Sequence, residues 1–526
     1  MSWIDRKTDP KRRQSPLKKW GKWLTKGRIG LILGPLLFLI IALMPQPQAM
    51  TDAIPDSLMD RAILGFVDKA PLIALGTLFW VLIWWVTECV PLGIAALVPP
   101  IVFSMTEIIP WKDALASFTN PIIWIFMAGF VLAAAFRKWE LDRRIAIRLG
   151  SIYKGCNPMV AAFFVAALPV FILTLTGSIT ASTSVVFPFL IAYLSMAGVK
   201  AGGRYSEACM LVLAQAATAG AMLLLISTPP NLIAKETVEE FTTRDLTFLD
   251  WLIIGTPHAL IGLFVTWVVV FKVLKPKESI CTDASRIRSV ERQRGKFSRG
   301  EKVVGALLGL AIFLWLLPSV VKVLAGYDSD LQSLSDALAS VMPEAMPAVL
   351  VILLAGLVRI RGEPLLKWDE IARGIDWNVV FLFGGGIALG IGLETSGFAQ
   401  WLADEVSTSL GSNPSAWTIY AVSCLLGFSL TYAASNTAAA LISCPIAATL
   451  AMGAHVPVEP AIIGAALACS ISSAIPSTTP PMAIVYSSGY VKIWTMFKVG
   501  IVSDLIRIAA LILIGYPLLN WRYPPI

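Results

Sequence analysis

The chain has 526 residues, 56% of them hydrophobic and 14% charged, and its mean hydropathy is +0.74. That composition excludes an ordinary soluble domain and fits a polytopic membrane protein. The net charge of +8 is no sign of nucleic-acid binding, because Lys and Arg cluster in loops between apolar stretches, where they orient a chain in a membrane.

Residues 1–28 are strongly basic and start no cleavable signal peptide. Ser15-Pro16 reads as an N-cap and first helical position, with Leu17, Trp20 and Leu24 on one face and Lys19, Lys22 and Lys26 on another. A short amphipathic helix on the cytoplasmic surface is preferred here over a partner-binding arm. Residues 29–70 form a first span (29–44) and a loop with Asp52, Asp56, Asp60 and Asp68. Spans at 71–87 and 91–106 follow, split by Thr87-Glu88-Cys89-Val90-Pro91. The span at 121–136 runs into a basic amphipathic piece ending at Arg148. Next come paired apolar arms, 158–176 and 183–197, around a polar turn. A span from 206 breaks at Thr228-Pro229-Pro230, because Pro removes a helix donor and clashes with the preceding turn. An acidic loop (235–250) and a span (251–273) complete the first half; residues 276–302 are a basic linker.

The second half opens with a span at 303–323, an acidic loop at 328–344 and a span at 346–358. An interfacial piece (368–375), a span (377–394) and a polar helix (400–409) follow. Paired arms at 414–452 surround Ser435-Asn436-Thr437; a span from 459 breaks at Thr478–Pro481, and the last span is 496–519. The expected fold is all-α, with about 11 transmembrane helices plus two re-entrant hairpins. With the N-terminus inside, the basic loops 137–154, 272–302 and 359–373 are cytoplasmic and the acidic loops 52–68 and 328–344 external. That predicts two inverted repeats, 71–275 with a hairpin opening inward and 303–526 with one opening outward, and an external C-terminus. The location fits a prokaryotic inner (plasma) membrane.

The seven Cys residues form no CxxC pair, lie mostly in apolar runs, and read as small core residues rather than disulfides or metal ligands. His258 and His455 are too far apart in the chain to suggest a histidine metal site.

The two halves repeat each other. Thr174-Leu-Thr-Gly-Ser178-Ile-Thr180 in one hairpin matches Thr431-Tyr-Ala-Ala-Ser435-Asn-Thr437 in the other, and a Pro follows each Ser by ten residues. Asn120 precedes Ser178 by 58 residues and Asn378 precedes Ser435 by 57. Each tip is followed by a break, Ser227-Thr-Pro-Pro-Asn231 or Thr478-Thr-Pro-Pro-Met482. Corresponding broken segments in two halves point to a secondary transporter's binding site. Neither tip carries Lys or Arg, so an anion there would meet helix N-termini, with free N–H groups and a dipole of about half a charge. Freed carbonyls at the same breaks suit a hard cation such as Na⁺. Ser, Thr and Gly also permit tight helix packing, but paired hairpins with paired Thr-Pro-Pro breaks favour a site.

These residues resemble the divalent anion/sodium symporter family, carriers of dicarboxylates, citrate or sulfate. The likeness runs from about Trp80 onward and rests on Trp84-Trp-Val-Thr-Glu-Cys-Val-Pro91, Leu141-Asp-Arg-Arg-Ile-Ala146, Phe383-Gly-Gly-Gly386, Ser435-Asn-Thr437 and both Thr-Pro-Pro breaks. The resemblance implies a homodimer in the lipid bilayer and a transport domain that moves as an elevator against a scaffold. It implies sodium-coupled symport of a small anion, with Na⁺ as coupling ion and no organic cofactor. Substrate is implied at Ser435, Asn436, Thr437, Thr479 and Pro480 on one side, and at Ser178, Thr180, Thr228 and Pro229 on the other. One sodium is implied at Thr431, Ala434, Asn436 and Thr478, and a weaker one at Thr174, Ser178 and Ser227. The pattern is departed from at Ile179, where the family has Asn, and at Met482, whose counterpart is Asn231.

Glu88 beside Pro91 reads as a structural cap at the interface in preference to a proton-coupling carboxylate. The rival readings are a sodium-independent anion exchanger, an intramembrane enzyme and a non-transporting receptor. For the enzyme, the chain offers no GxSxG elbow, no HExxH and no paired intramembrane Asp. The predicted topology has a direct check: a cysteine at Ser289 reacts with an impermeant thiol reagent only from the cytoplasm, and one at Ser333 only from outside. Labelling on the reverse sides would overturn the inverted arrangement.

Overall fold

A backbone in hydrocarbon has no water to bond, so each apolar stretch closes its own hydrogen bonds as a helix. The computed structural model describes residues 26–60, 64–153, 155–278, 295–343, 345–410 and 414–523. The amphipathic helix expected from Ser15 and most of the basic linker lie outside the described residues. Among those residues, nine helices are long and apolar enough to cross a membrane. The strands among them are the two-residue pair Arg359–Ile360 (β1) and Glu363–Pro364 (β2), antiparallel to each other.

The first half begins with Lys26–Leu43 (α1), Ala70–Thr87 (α2) and Leu92–Met105 (α3), the last interrupted by a turn at Ala96 and Leu97. Pro121–Lys138 (α4) is capped by Asn120, whose Oδ1 accepts from the Ile122 N–H at 2.9 Å, and Leu141–Gly150 (α5) follows. The first hairpin is Pro158–Thr176 (α6), with a π turn at Phe163–Ala167, and Ile179–Met196 (α7). The first broken helix is Arg204–Gly220 (α8) and Pro229–Phe241 (α9). Phe248–Leu274 (α10) and Arg299–Ala325 (α11) each start with a reciprocal capping box, Thr247 with Asp250 and Ser298 with Glu301.

In the second half come Gln332–Val341 (α12), Ala345–Leu357 (α13), Trp368–Gly374 (α14), Trp377–Thr395 (α15) and Phe398–Leu410 (α16). The second hairpin is Ala416–Ala433 (α17) and Asn436–Gly453 (α18). The second broken helix is Val458–Cys469 (α19) and Pro480–Ser487 (α20). Ile493–Ala510 (α21) continues through a π turn at Leu511–Gly515 into Tyr516–Arg522 (α22).

The structure corrects four expectations. Residues 235–241 are helical, not loop: Lys235 pairs with Glu239 one turn on, and Leu232, Ile233 and Val238 bury α9's apolar side. The acidic loop at 328–344 contains α12, which is amphipathic and held locally by a Gln332 to Asp336 bond of 3.1 Å. Both breaks start before their Pro pairs, the first at Ala221 rather than Thr228 and the second at Ser470 rather than Thr478, where the polar run Ser470-Ile-Ser-Ser473 is already unwound. Cys156 is disulfide-bonded; it sits in an exposed loop rather than in an apolar run, while Cys89, Cys209, Cys424, Cys444 and Cys469 are free.

Two helices form the centre. Every residue from Tyr205 to Gly220 in α8 and from Glu459 to Cys469 in α19 is buried. Both are rich in Ala, which lets neighbouring backbones approach. The pieces beyond the breaks change sides: α9 packs on α18 and α19, and α20 packs on α7 and α8. Outside this centre, α1, α11 and α13 present exposed large apolar side chains such as Ile32, Phe313 and Leu353, suited to lipid.

The Leu141-Asp-Arg-Arg144 motif has a packing role. Arg144 Nε lies 2.5 Å from Glu301 Oε1 and its Nη1 donates to the Gly295 carbonyl at 2.9 Å, fastening α5 to the start of α11. The glycine triplet of α15 is a crossing point. A Cβ on Gly384 would meet the Phe118 ring at 2.3 Å, on Gly385 the Ala96 carbonyl oxygen at 2.0 Å, and on Gly386 the Leu441 side chain at 2.2 Å. Backbone cannot yield as a side chain can, so Gly385→Ala is expected to cost about 1–3 kcal/mol of overpacking and to lower the thermal midpoint in detergent. An unchanged midpoint would contradict the close approach of α3 and α15.

Candidate functional site

The two hairpin tips and both breaks line one cavity of about 640 Å³. From the first half it takes Gly177, Ser178, Ile179, Thr180, Ser227, Thr228 and Pro229. From the second it takes Ser435, Asn436, Thr437, Thr478 and Pro480. The remaining wall comes from the turn Glu88–Leu92, from Phe126 and Phe130 of α4, and from Asp376, Asn378, Val379 and Leu382 at the start of α15. Among the described residues, none of the wall is Lys, Arg or His.

Four helices, α7, α9, α18 and α20, start at this cavity. Ser178 and Ser435 cap theirs by accepting from the N–H of Ala181 at 3.1 Å and Ala438 at 3.3 Å. A hydroxyl that accepts a backbone N–H keeps its own proton for an anion. Thr228 and Thr479 precede α9 and α20 without side-chain caps, and Thr479 Oγ1 is buried with no hydrogen-bond partner among the described residues. Thr479 itself is not among the residues that line the cavity, although its neighbours Thr478 and Pro480 are. The first tip turns on Gly177, whose φ of +88° suits glycine, and a Cβ there would lie 3.1 Å from Gly129 Cα in α4. The extra hydroxyls of α7 do not reach the cavity: Ser182, Thr183 and Ser184 each donate to the carbonyl four residues back, at 2.7–2.8 Å.

Behind the second tip is a buried cluster of neutral oxygens. Thr431 Oγ1 lies 2.7 Å from Asn436 Oδ1, 2.8 Å from the Cys469 carbonyl and 3.3 Å from Ser472 Oγ. Ser472 Oγ is 3.2 Å from Asn436 Oδ1, and Thr478 Oγ1 is 3.3 Å from the Ser472 carbonyl. Three hydroxyl protons, those of Thr431, Ser472 and Thr478, serve this whole set of oxygens, so lone pairs are in excess, which suits a hard cation. Ala434 is buried at the C-terminal cap of α17, beside this cluster in sequence. Ser472 and the Cys469 carbonyl were not anticipated; the polar run at 470–473 inside an apolar segment was the available signal.

The first half has a reduced copy. Thr174 Oγ1 lies 3.0 Å from the carbonyl of Gly220, the last residue of α8, as Thr431 does from Cys469, the last residue of α19. Ser227 Oγ accepts from the Leu224 N–H at 3.3 Å. The positions of Asn436 and Ser472 are taken by Ile179 and, three residues past the helix end, Leu223. Asn231 spends its amide on its own break, donating to the carbonyls of Ala221 at 2.7 Å and Leu224 at 2.8 Å. Its counterpart Met482 is fully buried in the core, so of the two departures only Ile179 reaches the cavity.

Glu88 occupies the C-cap of α2 with a left-handed φ of 48°, and it is also exposed in the cavity wall. The equivalent lead-in residues face different spaces. Asn378 lines this cavity, whereas Asn120 lines another of about 670 Å³ and donates to Glu236 Oε1 at 2.5 Å.

A family described as the sodium:sulfate symporter transmembrane region matches residues 28–523. The chain belongs to this family. That bears out the likeness read from the tips and breaks. Among relatives, a protein of Staphylococcus saprophyticus named sodium-dependent dicarboxylate transporter SdcS is 29% identical over 512 residues, covering 95% of this chain and 93% of its own. Proteins of the same name from Staphylococcus aureus strains MRSA252 and NCTC 8325 are each 28% identical, over 512 and 498 residues, covering 95% and 93% of this chain and 93% and 90% of their own.

The second cluster generates a prediction. Asn436→Ala removes the oxygen on which Thr431 and Ser472 converge, and a lost bond to a charged group is worth about ten- to a hundredfold in affinity. Uptake is expected to vanish while the protein stays folded in detergent. Ser472→Ala is expected to raise the Na⁺ requirement alone. Normal uptake by the Asn436 variant would remove the site from this cavity.

Proposed function

We propose that this chain is a sodium-coupled symporter of a small dicarboxylate-type anion, with substrate in the 640 Å³ cavity and Na⁺ behind the tips. One observation carries the reading. The cavity collects four helix starts, yet its described wall holds no cationic side chain and does hold Glu88 and Asp376. Helix N-termini supply only partial charge. A dianion in such a site requires further positive charge, and Na⁺ at the oxygen clusters supplies it. Na⁺ and the anion then each raise the other's affinity, which is the thermodynamic root of coupling.

In this reading Ser178, Thr180, Thr228 and Pro229 face Ser435, Asn436, Thr437 and Pro480 across the anion, and Thr479, the N-cap residue of α20, fixes where that helix starts. Thr431, Ala434, Asn436 and Thr478 hold one Na⁺, joined by Ser472. Thr174, Ser178 and Ser227 hold a weaker one. The central helices move as an elevator against α2–α4 and α11–α15. The turn at Glu88 and the start of α15 lie on the side that the charge pattern assigns to the cytoplasm, so this state opens inward. The placement of Asn120 and Asn378 at two different cavities supports inverted repeats. The names of the staphylococcal relatives support dicarboxylate as the substrate class and sodium as the coupling ion.

Proteoliposomes test this directly. Succinate uptake is expected with an inward Na⁺ gradient and not with K⁺ in its place. Exchange of equal rate without Na⁺ would favour the sodium-independent exchanger. Ile179 gives a sharper test. It lines the cavity but offers no donor or acceptor, so Ile179→Asn is expected to tighten Na⁺ binding or raise the Na⁺:substrate ratio measured by reversal potential. Identical stoichiometry, sodium affinity and substrate order in the two proteins would show that this position does not bear on the site.

A further inference from the structure

Helix α21 carries a buried ion pair that the binding reading leaves unused. Asp504 is 0% and Arg507 3% exposed. The Asp504 carboxylate accepts three bonds: Tyr432 Oη to Oδ2 at 2.6 Å, the Ser473 N–H to Oδ2 at 2.6 Å, and Ser473 Oγ to Oδ1 at 2.7 Å. Tyr432 follows Thr431 in the chain, and Ser473 follows Ser472. The carboxylate therefore grips the chain neighbours of two of the three hydroxyl bearers of the second oxygen cluster. Arg507 Nη1 stands 3.7 Å from Asp504 Oδ1 and donates to Thr218 Oγ1 at 3.0 Å. Thr218 is two residues before Gly220, whose carbonyl receives the Thr174 hydroxyl in the first cluster.

We propose that Asp504 and Arg507 are positioning residues for cation binding, one helix turn holding the second oxygen cluster through Tyr432 and Ser473 and the first through Thr218. This rests on the assignment of Na⁺ to those clusters. Packing alone is a poor account of the pair, because a buried ion pair is generally no more stabilising than apolar residues of the same volume. Its bonds are also specific. Unwinding at 470–478 frees the Ser473 N–H, which at this depth has no water to bond, and a carboxylate is the strongest acceptor available for it. The site's ligands are uncharged oxygens, and Ser472 and Thr478 among them lie on a non-helical stretch; such ligands bind a small cation well only when their spacing is held by the surrounding shell.

The test measures Na⁺ and substrate separately on full-length protein. Na⁺ is titrated without substrate by thermal shift in detergent, with choline holding ionic strength. Succinate half-saturation is then measured in proteoliposomes at saturating Na⁺. Tyr432→Phe removes one bond and leaves the pair intact; its Na⁺ midpoint is expected to rise several-fold. Asp504→Asn is expected to raise it about ten- to a hundredfold. In both, succinate half-saturation at saturating Na⁺ is expected to stay within about twofold. Because removing one partner strands the other charge, the joint change Asp504→Asn with Arg507→Gln is made alongside. If Asp504→Asn does not fold, Tyr432→Phe and Ser473→Ala decide. Unchanged Na⁺ midpoints in the folded variants, with the Na⁺ response lost in Asn436→Ala, would overturn the positioning role and leave the sodium site standing. Equal losses for Na⁺ and substrate at saturating Na⁺ would also overturn it, marking general damage. A retained Na⁺ response in Asn436→Ala would instead remove the sodium site on which the inference rests.

Discussion

The rest of the structure follows from the rule that no backbone N–H or carbonyl can be left unbonded at membrane depth. Continuous helices satisfy it by themselves. Around the cavity the described chain departs from continuity at two hairpin turns and two breaks, and each departure is a local debt in hydrogen bonds. Part is met locally: Ser178 and Ser435 cap their helices, and Asn231 takes the carbonyls of Ala221 and Leu224. Part is met from a distance, as when Asp504 accepts the Ser473 N–H. What is left over, helix-start donors on one side and carbonyls and hydroxyls on the other, faces the cavity and the oxygen clusters. Affinity for an anion and affinity for a cation are thus two aspects of one interrupted backbone.

Such interruptions need close neighbours to be held in place, and small residues provide them. Gly177 turns against Gly129, the glycines of α15 admit α3, Phe118 and Leu441, and the Ala-rich helices α8 and α19 accept neighbours on every side. Bulk at these points would force the tips away from the breaks. The asymmetry of the site has a side-chain origin. The hydroxyl-to-helix-end contact is kept in both halves, by Thr174 and Thr431, while Asn436 and Ser472 face Ile179 and Leu223 across the repeat. One cluster is rich in oxygen and the other relies on little beyond the backbone.

Much of this was legible in the residues. Apolar length located the spans, Pro pairs located the far ends of the breaks, and hydroxyls without charges located the tips, because each signal is local and acts where it is written. The misses are non-local or weakly patterned. Ser472 reads as one more small residue until the break at Ser470 turns it toward Asn436. Asp504 reads as a stray charge on α21 until α17 and the unwound stretch are folded onto it. Helix α12 and the end of α9 carry so many polar residues that composition outvotes periodicity. Cys156 is the one described cysteine in an exposed loop, and a rule drawn from apolar runs misjudged it.

The crossing-over of the broken helices bears on how the protein is made. Helix α9 finds its packing partners in α18 and α19, and α20 finds its own in α7 and α8. Neither half can therefore finish its core from its own sequence. During synthesis, α7, α8 and α9 must wait, with polar tips and breaks uncovered, until nearly the whole chain has emerged. Such late, non-local closure is slow and leaves intermediates prone to misassembly. The membrane insertion machinery has to shelter a half-built binding site, and loss of α20 by truncation would damage the first half as much as the second.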